Sequence, residues 1–135
     1  MPGLIDESRA GRDRVRVLFV EDDPSVAEMY KLKLELDGYA VEVASDGERA
    51  LEVARSDPPE IIFLDIRLPK LDGFGVLEAL RKDPKTARLP VVILSNYSQK
   101  QLIERGLHLG ALDYLIKTQT TPARLSSGLE TWLKE

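Results

Sequence analysis

The chain has 135 residues, 43% of them hydrophobic and 31% charged, with a net charge of −4; this bounds it to one globular domain without a general attraction for phosphate backbones or anionic lipid. Cysteine is absent and histidine occurs once, at His108, so disulfides, thiolate nucleophiles and Cys- or His-rich metal sites are excluded, and any metal must be held by oxygen. No apolar run nears a membrane-spanning length and the N-terminus lacks a signal-type core, so a cytoplasmic protein is expected, with no membrane partner and no direct nucleic-acid partner.

Residues 1–13 mix Gly, Pro and both charges without periodicity and read as a flexible tail, leaving residues 14–135 as the domain. The first strand is read at 15–20 (VRVLFV), followed by a helix that Asp23 caps, Pro24 opens and Gly38 stops. AVEVA at 40–44 is the second strand, and the helix after it starts at the Asp46 cap with Ala50, Leu51 and Ala54 on one face. EIIFL at 60–64 is the third strand, and its helix is capped by Asp72 and buries Phe74, Leu77 and Leu80. PVVIL at 90–94 leads to a helix within 98–110 that carries Leu102, Ile103 and Leu107 in the helical period and leaves His108 exposed. DYLIK at 113–117 is the fifth strand, and Thr121 and Pro122 open a last helix that turns Leu125, Leu129, Trp132 and Leu133 inward.

Strict alternation of strand and helix predicts an α/β fold, a five-stranded parallel sheet doubly wound by five helices through right-handed crossovers. In such sheets ligands bind beyond the carboxyl ends of the strands. Those ends carry Glu21, Asp22 and Asp23 after the first strand, Asp65 after the third, Ser95 after the fourth and Lys117 at the fifth. Clustered carboxylates repel unless a cation neutralises them, and a hard divalent ion such as Mg²⁺ (or Mn²⁺) suits oxygen ligands together with phosphate. The chemistry indicated is phosphoryl transfer, with Asp65 as nucleophile forming an acyl phosphate, Lys117 pairing with one phosphoryl oxygen and Ser95 donating to another.

The segments VLFVEDDP, LDIRLPKLDGFGVL, VVILSNYS and GALDYLIK, in this order and spacing, resemble the receiver domains of two-component response regulators over nearly all of residues 14–135. That resemblance implies the flavodoxin-like (βα)5 fold with strand order 2-1-3-4-5. It implies Asp65 as phosphoacceptor, a metal held by Glu21, Asp22, Asp65 and the Arg67 backbone carbonyl, and Ser95, Tyr114 and Lys117 as switch and phosphate-binding residues. It further implies a sensor histidine kinase or histidine phosphotransfer protein as phosphodonor. With no sequence left after the fifth helix for an output domain, the output is expected to be a protein target on the face of the fourth helix, fifth strand and fifth helix, or phosphotransfer onward to another histidine, unless the chain is cut from a larger one. A signalling switch is expected rather than an enzyme acting on a separate substrate.

Two departures stand beside the resemblance. Thr118 follows the lysine where the family places proline, which predicts a trans bond with a rearranged loop or a strained one. Asn96 replaces a small residue after Ser95, and Arg67, Asn96 and Tyr97 are read as tuning the lifetime of the phosphorylated state. A phosphorylation-independent receiver acting as an adaptor therefore stays as the alternative. An aspartyl-phosphate phosphatase of the haloacid dehalogenase type lacks its second Asp, since Arg67 stands there. A flavin module fits poorly, because EDDP would repel a flavin phosphate.

Overall fold

The computed structural model describes residues 14–134, so the tail expected at 1–13 lies outside the described residues. The β-branched and apolar runs form five parallel strands: β1 (Arg16–Val20), β2 (Ala40–Ala44), β3 (Ile61–Leu64), β4 (Val91–Ser95) and β5 (Asp113–Ile116). Between and after them run α1 (Pro24–Leu36), α2 (Gly47–Ser56), α3 (Gly73–Lys82), α4 (Lys100–His108) and α5 (Pro122–Lys134). The sheet order is β2-β1-β3-β4-β5, which places the reversal of winding between β1 and β3.

Period-two alternation sorts each strand between two layers. Leu18, Val20, Ile62, Leu64 and Ile93 face α2, α3 and α4, where they meet Ala50, Leu51, Ala54, Phe74, Leu77 and Leu80. Val17, Phe19, Ile61, Phe63, Val92 and Leu94 face α1 and α5, where they meet Tyr30, Leu34, Leu125 and Leu129. Every residue of β3 is buried, as a strand covered on both faces requires. Burial of such a side chain contributes about 1.5–3 kcal/mol, which fixes the frame from which the strand ends project.

The caps are those expected from the sequence. Asp23 Oδ1 accepts from the N–H groups of Ser25 and Val26 at 2.9 and 3.3 Å, Asp46 Oδ1 from Arg49 at 2.7 Å and Asp72 Oδ1 from Gly75 at 2.8 Å. Thr121 Oγ1 takes the Arg124 N–H at 3.1 Å. Gly38 ends α1 with a φ of 98°, the left-handed conformation of a helix stop.

Two local expectations are corrected. Leu107 is not on the buried face of α4 but 45% exposed; Gly106 takes the core-facing place, where a Cβ would lie 2.5 Å from Ile93 Cδ1. β5 stops at Ile116, and Lys117 instead begins a 3₁₀ turn, Lys117–Gln119. Its bond to Thr118 is trans, so of the two outcomes open for the missing proline the strained cis bond is not adopted. No helix among the described residues is long and apolar enough to cross a membrane.

Candidate functional site

The site is built where the backbone ladder continues one residue past the strands. Glu21 N–H donates to Ala44 O at 3.0 Å, and Asp65 N–H donates to Val20 O at 3.1 Å. Since Val20 pairs with Leu64 in register, the carboxylates that follow β1 and β3 emerge side by side on rigid backbone. Behind Asp65, Gly73 opens α3 so closely that a Cβ there would sit 2.2 Å from the Asp65 carbonyl oxygen and 2.7 Å from Ile66 Cα.

Glu21, Asp22 and Asp65 each offer a carboxylate oxygen within 4.8 Å of the others, with Glu21 and Asp65 buried and Asp22 exposed. Lys117 enters from the end of β5: its Nζ donates to Asp65 Oδ2 at 2.7 Å and touches Glu21 Oε1. The contact with Glu21 is an ion pair outside hydrogen-bond geometry, so Glu21 Oε1 is a buried oxygen without a directional donor. Asp65 Oδ1 is held by the Ile66 N–H at 2.8 Å, and Glu21 Oε2 by the Asp23 N–H at 3.1 Å.

Burial pushes the Glu21 carboxyl above its usual value, against the opposing pull of Lys117. For Lys117, burial acts to lower the pKa, and the bonds to Asp65 and Glu21 outweigh it, so the ammonium is held more firmly than an ordinary lysine. One ammonium set against three carboxylates leaves negative charge uncompensated. Together with an all-oxygen donor set, this fits a hard divalent cation.

A cavity of about 360 Å³ lies over the cluster, lined by all the residues named from sequence except Tyr114: Glu21, Asp22, Asp65, Arg67, Ser95, Asn96, Tyr97 and Lys117. Asp23 and Val26 complete the lining. Ser95 is 1% exposed; its Oγ accepts from the Tyr97 N–H at 3.1 Å, and its hydroxyl lies against that of Tyr114. Tyr114 is turned into the core and donates its hydroxyl to Tyr97 O at 2.7 Å, so it meets the site through the β4–α4 loop. Burial raises the pKa of its phenol.

Two residues that sequence reading passed over also reach this region. Tyr30 of α1 donates its buried hydroxyl to Thr120 O at 2.6 Å, and Thr120 Oγ1 donates to Ile116 O at 2.9 Å. The buried spacing Ala27, Tyr30, Leu34 carried the signal, because a tyrosine on a core face needs an acceptor for its hydroxyl.

Comparison with known proteins adds the following. The DNA-binding dual master transcriptional regulator RpaA of Synechocystis is 41% identical over 102 residues, 76% of this chain and 42% of that protein. Among solved structures, the receiver domain of Francisella response regulator 1452 superposes with a TM-score of 0.82 at 32% identity, covering 90% of this chain and 98% of that one. The beryllofluoride-activated N-terminal receiver domain of Klebsiella pneumoniae RstA gives 0.81 at 33% identity, covering 89% and 99%.

These relatives correct the expected partners. The sequence pointed to an output made only through a protein contact, with no nucleic acid, whereas RpaA is a DNA-binding protein more than twice the length matched here. The physical reason is that a net charge of −4 describes the electrostatics of this segment alone and carries no information about a DNA-binding domain to which such a segment is joined.

The family model described as response regulator receiver domain matches residues 17–129, from the first strand into the last helix, and the chain therefore belongs to the receiver domains of two-component response regulators.

Proposed function

We propose that the chain is a phosphorylation switch in which Asp65 accepts a phosphoryl group from the phosphohistidine of a sensor histidine kinase. The observation that carries this reading is the meeting of Lys117 Nζ with Asp65 Oδ2 at 2.7 Å inside a cluster of three carboxylates. An Asp65 carboxylate oxygen attacks phosphorus, the P–N bond to the imidazole breaks, and the imidazole takes a proton from solvent as it leaves. The product is an acyl phosphate, and attack by water later returns the carboxylate and inorganic phosphate.

Glu21, Asp22, Asp65 and the Arg67 carbonyl would hold Mg²⁺ or Mn²⁺, which supplies positive charge where the phosphoryl oxygens gather it. Lys117 is close enough to move from the carboxylate to a phosphoryl oxygen, and the Ser95 hydroxyl can turn from its neighbours to donate to another. If Ser95 turns toward that oxygen, it releases the Tyr97 N–H, and Tyr97 O is the acceptor of Tyr114. The new charge at Asp65 is thereby read by the β4–α4 loop and the Tyr114 ring. Arg67, Asn96 and Tyr97 stand at the mouth of the cavity, where they set access for water and so the lifetime of the acyl phosphate.

The chain acts in the cytoplasm as a switch rather than as an enzyme with a separate substrate. By likeness to RpaA, its output is control of a DNA-binding effector. Hydroxylamine, which cleaves acyl phosphates, tests the chemistry: after incubation with acetyl phosphate and Mg²⁺ it should convert Asp65 alone to a hydroxamate. A hydroxamate elsewhere, or none, refutes the assignment.

A further inference from the structure

The ammonium of Lys117 sits at the end of a long side chain whose backbone lies in a 3₁₀ turn, Lys117–Gln119, with Thr118 and Gln119 exposed. The residue before this turn, Ile116, offers no side-chain cap, and Thr118 brings none of the stiffness that a proline would. Ordering such a segment costs backbone entropy, which a contact from outside the turn helps to offset.

Among the described residues, one side chain from elsewhere in the fold reaches the backbone of this region, and it is Tyr30. Thr120, 5% exposed, closes the turn: its N–H donates to Lys117 O at 3.2 Å and its hydroxyl to Ile116 O at 2.9 Å. The carbonyl of the same Thr120 is held by the Tyr30 hydroxyl at 2.6 Å, a bond between residues 90 apart in sequence. Tyr30 is itself immobilised, 2% exposed and stacked on Phe19 with ring centroids 5.2 Å apart and planes at 23°. Phe19 lies on β1, two residues before Glu21. A rigid path thus runs from the strand that carries Glu21, through two stacked rings and one hydrogen bond, to the turn that carries Lys117.

We infer that Tyr30 is a positioning residue for Lys117, its hydroxyl fixing the Thr120 carbonyl and with it the turn that aims the ammonium at Asp65. The inference rests on the phosphoacceptor reading of Asp65 and Lys117. In a site where alignment sets the rate, loss of a neutral hydrogen bond one step removed from the reacting groups weakens the hold on the phosphoryl group without weakening the hold on the metal.

Tyr30→Phe keeps the ring stack and removes the hydroxyl. Calorimetric titration should show Mg²⁺ affinity unchanged or raised, because a loosened ammonium competes less for the carboxylates it pairs with, while beryllofluoride in the presence of Mg²⁺ binds about three- to tenfold more weakly, the span of one lost hydrogen bond. In protein labelled with ¹³C-lysine, the Lys117 ε-carbon resonance should move toward those of the exposed lysines, with the other lysine signals in place. Thr120→Val, which removes the bond to Ile116 O, carries the same two measurements if Tyr30→Phe does not fold. Unchanged beryllofluoride affinity with an unmoved Lys117 signal overturns the role of Tyr30, and so does an equal loss for Mg²⁺ and beryllofluoride, which would mark a general loosening. Absence of beryllofluoride binding by the wild-type protein overturns the phosphoacceptor reading itself and the inference with it.

Discussion

Replacing Lys117 by Met removes the one cation that the described structure sets among Glu21, Asp22 and Asp65, and the cost follows from the geometry. At 2.7 Å and an effective dielectric constant of about 20, the pair with Asp65 is worth roughly 6 kcal/mol before desolvation is counted. The side chains of Glu21 and Asp65 are only 2% and 7% exposed, so breaking the pair falls in the class that costs about 3–5 kcal/mol. The open mouth of the cavity and protonation of Glu21 relieve part of this, and a loss of about 3 kcal/mol in metal-free buffer is expected, on the order of 10 °C in Tm for a domain of this size.

The pH dependence has a definite sign. Burial already holds the folded-state pKa of Glu21 above its ordinary value, and loss of Lys117 raises it further. A group with a raised folded pKa favours the fold below its unfolded pKa, and that benefit is lost as pH rises through the folded value. The deficit of Lys117→Met should therefore be smallest in mildly acidic buffer and grow toward neutral pH. Excess Mg²⁺ supplies positive charge at the vacated site, and saturation at about 100 times its dissociation constant should stabilise the variant by roughly 2.7 kcal/mol over its own value in chelator. Urea unfolding followed by circular dichroism, with Mg²⁺ or with a chelator, measures both effects. Wild-type stability of the variant in the chelator would show that the ammonium does not neutralise these carboxylates, and no gain from Mg²⁺ in the variant would show that they do not form a cation site.

Two further substitutions probe the frame. Gly73→Ala drives a Cβ into the Asp65 carbonyl and Ile66 Cα, both backbone atoms with nowhere to retreat; a loss of about 1–3 kcal/mol is expected, together with slower phosphorylation by acetyl phosphate, and an unchanged rate would show that the end of β3 need not be held so closely. Arg81 donates to Ala87 O, Leu89 O and Gly110 O at 3.1, 2.9 and 2.9 Å, tying α3 to the segments that enter β4 and β5 at the edge opposite the site. Arg81→Met should lower stability by about 2–3 kcal/mol in urea unfolding and leave the phosphorylation rate as it is, and an unaltered urea midpoint contradicts this account of the clamp.

Most of the site could be read from sequence because each of its residues ends a strand. Glu21, Asp65, Ser95 and Lys117 follow short apolar runs, and in a parallel doubly wound sheet all such ends lie along one edge, so a linear pattern becomes a cluster without knowledge of side-chain packing. The helix caps were legible for a similar reason, since Asp23, Asp46 and Asp72 act on N–H groups two or three residues away.

What escaped was non-local or lay outside the segment. The bond from Tyr30 to Thr120 depends on α1 standing beside the end of β5, which no spacing in the sequence records. Leu107 kept the helical period yet faces outward, because Gly106 lets α4 approach β4 at that turn. The end of β5 was placed one residue late, since Lys117 continues an apolar run while its backbone has already begun to turn. The expected exclusion of nucleic acid failed because it was drawn from the charge of one domain, and the length shared with RpaA shows such domains at work inside longer DNA-binding proteins.

The central claim is that Asp65 carries the phosphoryl group, and intact mass spectrometry tests it most directly. The protein is mixed with acetyl phosphate and Mg²⁺ and sampled at short times beside Asp65→Asn and a chelator control. The account predicts the added mass of one phosphoryl group in the wild-type protein and none in either control. Equal addition to Asp65→Asn, or no addition to a wild-type protein that binds Mg²⁺, would contradict it.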